Sequence, residues 1–131
     1  MSLSRTSWRV AGIVNIETGV LRELEGQDNC LNYWLAFGSK IFIAQAYASF
    51  GDGNYTADYN ANSIVSIGFR GTAAYVLDDP SLFSTALQHM RSFVLTNNEL
   101  RLYSLPSEHY RRFEWYDELS NGYLLFKRLG L

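Results

Sequence analysis

Hydrophobic and polar residues alternate along most of this 131-residue chain, and turn-forming residues interrupt the alternation at intervals of about ten positions. Strand-like runs stand at 8–14, 33–37 and 41–47, and others follow at 64–69 and 123–128. Because successive side chains of a β-strand point to opposite faces of a sheet, a period of two is typical of strands. Short strands separated by frequent turns predict a meandering antiparallel sheet.

Turn-forming sequences separate the predicted strands. Gly38-Ser39-Lys40 predicts the clearest hairpin of the chain. Asn60-Ala61-Asn62 and Asn97-Asn98 predict further turns, and the composition of the second favours positive backbone φ. Gly51-Asp52-Gly53-Asn54 is also predicted to be a turn, in which the glycines adopt positive φ and the two polar side chains cap backbone groups. A further short strand is predicted at 72–76.

One segment follows the period of a helix instead. Asp79 is the predicted N-cap, and Pro80 is the predicted first helical residue, where the missing N–H of proline costs nothing. Arg91 lies near the predicted end, where a cation suits the helix dipole. The predicted apolar stripe consists of Leu82, Phe83, Ala86, Leu87 and Met90. The sequence therefore predicts one helix at about 80–90.

About eight short strands with one inserted helix predict an all-β fold, a small antiparallel barrel, because closure of the sheet removes its unpaired edges. The segments 41–47 and 64–69 are apolar on both faces, so we expect a filled interior and an outside partly covered by the helix. The length is that of one domain. Residues 1–7 are expected to be a linker or vector-derived residues, and residues 8–131 the barrel domain.

Charge and cysteine content exclude several classes of protein. The chain has 11 basic and 13 acidic residues, which is not the footprint of a nucleic-acid-binding protein. No apolar run reaches the roughly 18 residues of a transmembrane helix. Cys30 is the only cysteine, so an intramolecular disulfide and a cysteine-rich zinc site are both excluded. We expect neither a metal nor a cofactor.

A family resemblance rests on the order of several short sequences. They are WRVAGI at 8–13, AYASFGDGNYTADY at 46–59, Ile64, Gly71-Thr72, SFVL at 92–95, LRLY at 100–103 and YLLFK at 123–127. This order resembles the META/heat-shock-lipoprotein-like domains, which include lipocalin-like proteins of bacterial envelopes. The resemblance implies a calycin-like barrel with a helix before its last strands, and an extracytoplasmic location that is usually secured by a lipidated cysteine.

The chain departs from that family at two points. No cysteine stands near its start, and Gly53-Asn54 occupies the place of a Cys-Asn pair in the better-known members. Properties that depend on those cysteines therefore do not transfer. The family has no accepted catalytic residues, so the resemblance assigns none to this chain.

Catalytic signals in the sequence are sparse. His89 and His109 are the only histidines, and neither stands at a metal-ligand spacing from other candidate ligands. No Gly-x-Ser-x-Gly nucleophile motif is present. We therefore predict a non-enzymatic protein and assign no catalytic residues. An enzyme using His89 or His109 is the least favoured of three function classes.

The segment 109–118 mixes four aromatic residues with charges of both signs. We predict a strand or hairpin near the barrel rim, with Phe113 and Trp115 facing inward. A protein partner would then contact Tyr110, Arg112, Glu114 and Tyr116, because tyrosine combines apolar area with a polar tip. If the whole segment is instead the penultimate barrel strand, this candidate contact disappears.

Small side chains suggest an alternative function. Ala44 and Ala46 share one face of a predicted strand and could leave room in the barrel for a small apolar ligand that Tyr55 and Tyr59 would also contact. The side chains of an eight-stranded barrel usually fill its interior, which favours the first hypothesis. That hypothesis is a non-enzymatic envelope domain that binds a protein partner or has a structural role at the cell surface. The carrier of an apolar ligand is the alternative.

Overall fold

The structure is a computed structural model that describes residues 2–27, 32–46, 49–71 and 78–129, and only the backbone of Asp78. Its strands are β1 (Thr6–Asn15), β2 (Leu21–Arg22), β3 (Tyr33–Phe37), β4 (Ile41–Ala46), β5 (Ser49–Asp58), β6 (Ser63–Gly71), β7 (Met90–Leu95), β8 (Glu99–Ser104) and β9 (Gly122–Arg128). Its helices are α1 (Asp78–Gln88) and α2 (Tyr116–Ser120), with a 3-10 turn at Glu108–Tyr110. Cys30 and the predicted strand at 72–76 lie outside the described residues.

The strands form a closed antiparallel barrel. Each strand from β3 to β8 pairs with the next one, and β1 pairs with both β3 and β9, which closes a ring of eight strands. The two-residue strand β2 pairs with β1 beyond the end of β3. The prediction of a small calycin-like barrel is confirmed. In the described strands, β6 and β7 share a single register pair, Ser63 with Ser92, so this is the weakest junction of the ring.

Helix α1 lies across one end of the barrel. It contacts β4, β6 and β8, which stand on different sides of the ring. The ring of Phe83 packs against Tyr33 of β3 at 5.3 Å and against Phe126 of β9 at 6.0 Å, so this side chain points into the interior. The other residues of the predicted stripe are also buried: Leu82, Ala86, Leu87 and Met90. The expectation that the helix covers the outside of the barrel was therefore wrong.

The ends of α1 differ from the prediction. The helix begins at Asp78, so Asp79 lies in its first turn instead of capping it. The Asp79 carboxylate accepts hydrogen bonds from Arg22 and from the backbone N–H of Glu25. Together these bonds are stronger than the bond to a helix N–H that an N-cap side chain would accept. The helix ends at Gln88, and Arg91 belongs to β7, so it does not stabilise the helix end.

The predicted turn at 51–54 is also wrong. Strand β5 runs through these residues, and neither Gly51 nor Gly53 has positive φ. These glycines leave space for aromatic rings, because a Cβ on Gly51 would lie 2.6 Å from the ring of Phe69. That ring stacks on Phe42 at 5.6 Å between centroids. The glycines therefore serve the packing of the interior.

The turn at Asn97-Asn98 forms as predicted, although without positive φ at either asparagine. The backbone N–H of Thr96 donates to the carbonyl of Glu99, and the N–H of Glu99 donates to the hydroxyl of Thr96 at 3.0 Å. The side-chain bond stabilises a turn that needs no left-handed residue.

Residues 2–7, which we expected to be a linker or vector-derived, pack against the barrel. Leu3 is fully buried, and β1 begins at Thr6. The Thr6 hydroxyl donates to the carbonyl of Leu3 and accepts from the indole N–H of Trp8 at 2.8 Å. The hydroxyl of Tyr59 accepts from the backbone N–H of Leu3 at 3.0 Å. No helix in the described ranges is long and apolar enough to cross a membrane.

Candidate functional site

One side of the barrel exposes large apolar side chains. Four neighbouring strands, β3 to β6, are joined by continuous registers that bring their outward residues together. We call these residues the apolar sheet face: Trp34, Ile41, Ile43, Phe50, Val65 and Ile67. Trp34 is half-buried, and the other five are each between 45% and 55% exposed. Helix α1 lies at the end of the barrel and leaves this face uncovered.

Two opposite charges stand on the same face. Asp52 of β5 and Arg70 of β6 are register partners, yet neither forms an ion pair in the described part of the chain. The outward side chains of β8 and β9 are more polar. There Lys127 pairs with Glu99, and its hydrogen bond lowers the pKa of that carboxyl. The guanidinium of Arg101 lies 5.1 Å from the ring centre of Tyr123. The outside of the barrel is thus divided into an apolar side and a charged side.

The segment 109–118 is not a strand. A 3-10 turn and the start of α2 occupy it, and Trp115 and Tyr116 are only 4% and 9% exposed. Phe113 and Trp115 stack at 5.2 Å between ring centres, and this ring packing outweighs the alternation in the sequence. The predicted inward position of Trp115 is therefore right, but Tyr116 is buried and is not an exposed contact.

The other predicted contact residues keep part of their exposure. Arg112 and Glu114 are exposed, and Tyr110 is half-buried. Tyr110 packs against Trp115 at 5.9 Å, and its hydroxyl donates to Gln88 at 3.4 Å. The structure therefore brings Tyr110 and Tyr116 into the packing and leaves only the two charged residues fully at the surface.

Arg22 connects three elements beside this segment. Its guanidinium makes paired hydrogen bonds with Asp79 of α1 at 2.8 and 2.9 Å and with Glu118 of α2 at 2.7 and 2.9 Å. These bonds raise the pKa of Arg22. Burial opposes ionisation of Asp79, but the bonds from Arg22 and from the Glu25 N–H outweigh it and lower the pKa of that carboxyl. This cluster joins β2 to both helices.

Both histidines lie beside Tyr110. The ring centres of His89 and His109 are 5.5 and 5.6 Å from that of Tyr110. The Nε2 atom of His89 is buried without a hydrogen-bond partner, and burial lowers the pKa of this imidazole. In the described ranges neither imidazole pairs with a carboxylate, and no group of His, Cys, Asp or Glu is arranged to hold a metal ion.

The predicted ligand residues separate into two places. Ala44 and Ala46 line a cavity of about 250 Å³ between α1 and strands β4–β6. Tyr55 and Tyr59 lie beside a different, shallow cleft with Lys40. The hydroxyl of Tyr55 donates to the carbonyl of Gly38 at 2.6 Å, and burial raises its pKa. The four residues therefore do not form one ligand site.

Sequence reasoning missed the apolar sheet face, although a signal for it was present. Segments 41–47 and 64–69 are apolar on both faces, which means that one apolar face of each must be covered by something or exposed. The sequence indicates the cavity less clearly. The alternate alanines suggest free space, but they do not show which polar groups lie opposite them.

Two solved bacterial structures are similar to this fold. The 1.00 Å crystal structure of a DUF4847 family protein from Bacteroides vulgatus ATCC 8482 has a TM-score of 0.68 and 13% identity, over 95% of this chain and 93% of that one. The NMR structure of a protein from Burkholderia xenovorans has a TM-score of 0.64 and 15% identity, over 98% of this chain and 85% of that one. No protein-family model and no curated protein matches the chain. At these identities the similarity shows the fold alone.

Proposed function

We propose that this protein is a non-enzymatic interaction domain whose apolar sheet face binds a protein partner. The observation that carries the proposal is the group of half-exposed side chains on β4, β5 and β6. Asp52 and Asn54 of β5 stand between its β4 and β6 members, and exposed apolar side chains rimmed by polar ones are typical of interaction sites. The apolar sheet face replaces the segment 109–118 as the main candidate contact.

The closed ring restricts how a partner can bind. Because β1 pairs on both sides, the described strands leave an unpaired edge mainly on β6, which pairs with β7 only at Ser63. On the apolar sheet face itself, contact would be made by side chains. Complete burial of the five half-exposed apolar side chains would contribute roughly 1 kcal/mol each to the binding free energy. That gain is of the same order as the 4–15 kcal/mol or so that association costs, so we expect a partner that also pairs with Asp52 and Arg70.

We propose further that the domain works in the bacterial envelope, outside the cytoplasm, as a member of the META/heat-shock-lipoprotein-like family. The order of the short sequences between residues 8 and 127 supports this assignment, and the observed barrel with its helix before β7 agrees with it. The proposal that the domain is not an enzyme is supported by the environment of His89, whose buried Nε2 has no hydrogen-bond partner among the described residues.

Site-specific photo-crosslinking in the producing bacterium tests the interaction. A photoreactive amino acid replaces Ile43 or Ile67 on the apolar sheet face, and Val94 on the outside of β7 serves as the matched control. We expect one discrete adduct from positions 43 and 67 and none from position 94. The absence of an adduct, or equal adducts from all three positions, would contradict the proposal. Fractionation of the same cells tests the location.

A further inference from the structure

The cavity between α1 and the sheet exists because its floor is built from small residues. Ala44 of β4 stands opposite Gly51 of β5, which stands opposite Gly71 of β6. Three neighbouring strands therefore carry almost no side chain in one row. The rings of Phe50 and Phe69 border the space, which measures about 250 Å³. A row of small residues alone does not make a binding site, so the opposite wall decides its nature.

That wall is a polar face of α1. Ser81, Ser84, Thr85 and Gln88 follow one another at helical spacing and line the cavity. Thr85 is only 5% exposed, yet its hydroxyl has no hydrogen-bond partner within the described residues. The hydroxyls of Ser81 and Ser84 are likewise unpaired there, as is that of Ser49 across the cavity. These oxygens are not among the fully buried atoms without a partner, so they face the space of the cavity.

Serine hydroxyls that the sheet presents to other sides of α1 are paired. Ser104 donates to the carbonyl of Ala86 at 2.9 Å, and Ser66 donates to the carbonyl of Gln88 at 2.8 Å. Carbonyls of the helix therefore satisfy the sheet hydroxyls that meet it elsewhere. The α1 hydroxyls that line the cavity have no such partner among the described residues, so they are available to a molecule inside it.

We propose that this cavity binds a small, uncharged, hydroxyl-rich molecule of the size of one sugar ring. Its volume equals that of about eight waters at roughly 30 Å³ each. None of the described lining residues carries a charge, so a charged ligand would lose its hydration without gaining a counter-ion. Serine and threonine hydroxyls donate and accept hydrogen bonds, and the Phe69 ring and the alanines suit the C–H face of such a ring.

An apolar ligand fits this cavity less well. It would fill the volume but leave the hydroxyls of Ser84 and Thr85 without partners, and a site built from hydrogen-bonding groups discriminates strongly against molecules that lack them. The carrier hypothesis from the sequence is therefore revised: the expected ligand is hydroxyl-rich instead of apolar. Among the described residues the cavity shares only Phe50 with the apolar sheet face, so variants at other positions test the two proposals independently.

NMR titration of the ¹⁵N-labelled protein tests this inference. The probes are D-glucose, D-galactose and myo-inositol, with toluene as the apolar comparison. We expect saturable shifts for at least one polyol, confined to the amides of residues 49–51, 69–71 and 81–88. Absence of saturable shifts at concentrations about tenfold above a millimolar Kd would show that only water occupies the cavity. Shifts caused by toluene but by no polyol would contradict the ligand class.

Three variants locate the binding. Thr85→Val keeps the shape of the side chain but removes its hydroxyl. It should weaken binding by about three- to tenfold, which is the contribution of one neutral hydrogen bond. Ser84→Leu fills the cavity and should abolish binding while the protein stays folded. Thr56→Val removes an exposed hydroxyl elsewhere on β5 and should change nothing. Equal affinities for all three variants would contradict the proposed site.

Discussion

Replacing Arg22 by Met would leave the Asp79 carboxylate, of which only 8% is exposed, with the backbone N–H of Glu25 as its remaining partner. Removing one partner of a fully buried ion pair costs about 3–5 kcal/mol. The Arg22 side chain is 43% exposed, so water can partly replace it, and we expect the lower figure of about 2–3 kcal/mol at pH 7. For a chain of this length that loss lowers Tm by roughly 10 °C.

The pH dependence distinguishes this explanation from a loss of packing. In the natural protein the pKa of Asp79 is lowered, so its contribution to stability is present above the unfolded-state pKa of about 3.9 and is lost as the pH falls through the folded-state value. Without Arg22, burial outweighs the remaining hydrogen bond from the Glu25 N–H, so the pKa of Asp79 should rise. The variant should then lose stability as the pH rises above about 4, which reverses the sign of the slope.

Urea unfolding between pH 3 and 8 measures both effects. Glu118→Gln is the matched control, because it removes the more exposed carboxylate from the same guanidinium and should cost less than about 1 kcal/mol. The double variant Arg22→Met with Asp79→Asn should recover part of the loss, since no buried charge remains. If Arg22→Met costs the same at pH 3 and at pH 7, the charge of Asp79 does not explain the loss and the reasoning is refuted.

Three further predictions concern stability. Burial lowers the pKa of His89, so the unfolded chain binds this proton more tightly and stability should fall as the pH drops below about 6.5; His89→Leu should flatten that decline in urea unfolding. Trp115→Ala and Tyr116→Ala should both lower Tm because both side chains are buried, and the first should cost about 3–5 kcal/mol of unfolding free energy. An unchanged Tm for Tyr116→Ala would show that this residue is a surface contact after all. Gly51→Ala should cost about 1–3 kcal/mol in denaturant unfolding because its Cβ meets an aromatic ring, whereas Gly71→Ala, with its nearest neighbour at 3.7 Å, should cost clearly less.

Local periodicity predicted the elements whose structure depends mainly on near neighbours. Strand β4 ends within one residue of its predicted end, and the α1 residues of the predicted stripe are buried. The errors fall where a distant residue decides. Asp79 has the composition of an N-cap, but Arg22 binds it from 57 positions away. Gly51 has the composition of a turn, but the Phe69 ring needs its space.

The candidate site was predictable to a smaller extent for the same reason. The sequence shows that the segments 41–47 and 64–69 are apolar on both faces, but only the position of α1 determines which apolar residues remain exposed. The aromatic residues of 109–118 indicated a surface, yet the stacking of Phe113 on Trp115 places them in a packed cluster. Exposure is a property of the whole fold, and periodicity reports only which residues share a face.

Because β6 and β7 pair weakly, the hydrogen bonds around this junction should open more easily than those in the rest of the barrel. On the opposite side of the ring, β1 pairs along its length with β9, from Trp8 with Arg128 to Asn15 with Gly122, and so holds the two ends of the chain together. A local fluctuation that separates Ser63 from Ser92 therefore breaks little pairing and leaves a curved, still continuous sheet. Amide protons of β6 and β7 should exchange with solvent through such partial openings, whereas those of β1 and β9 should exchange only when the whole domain unfolds.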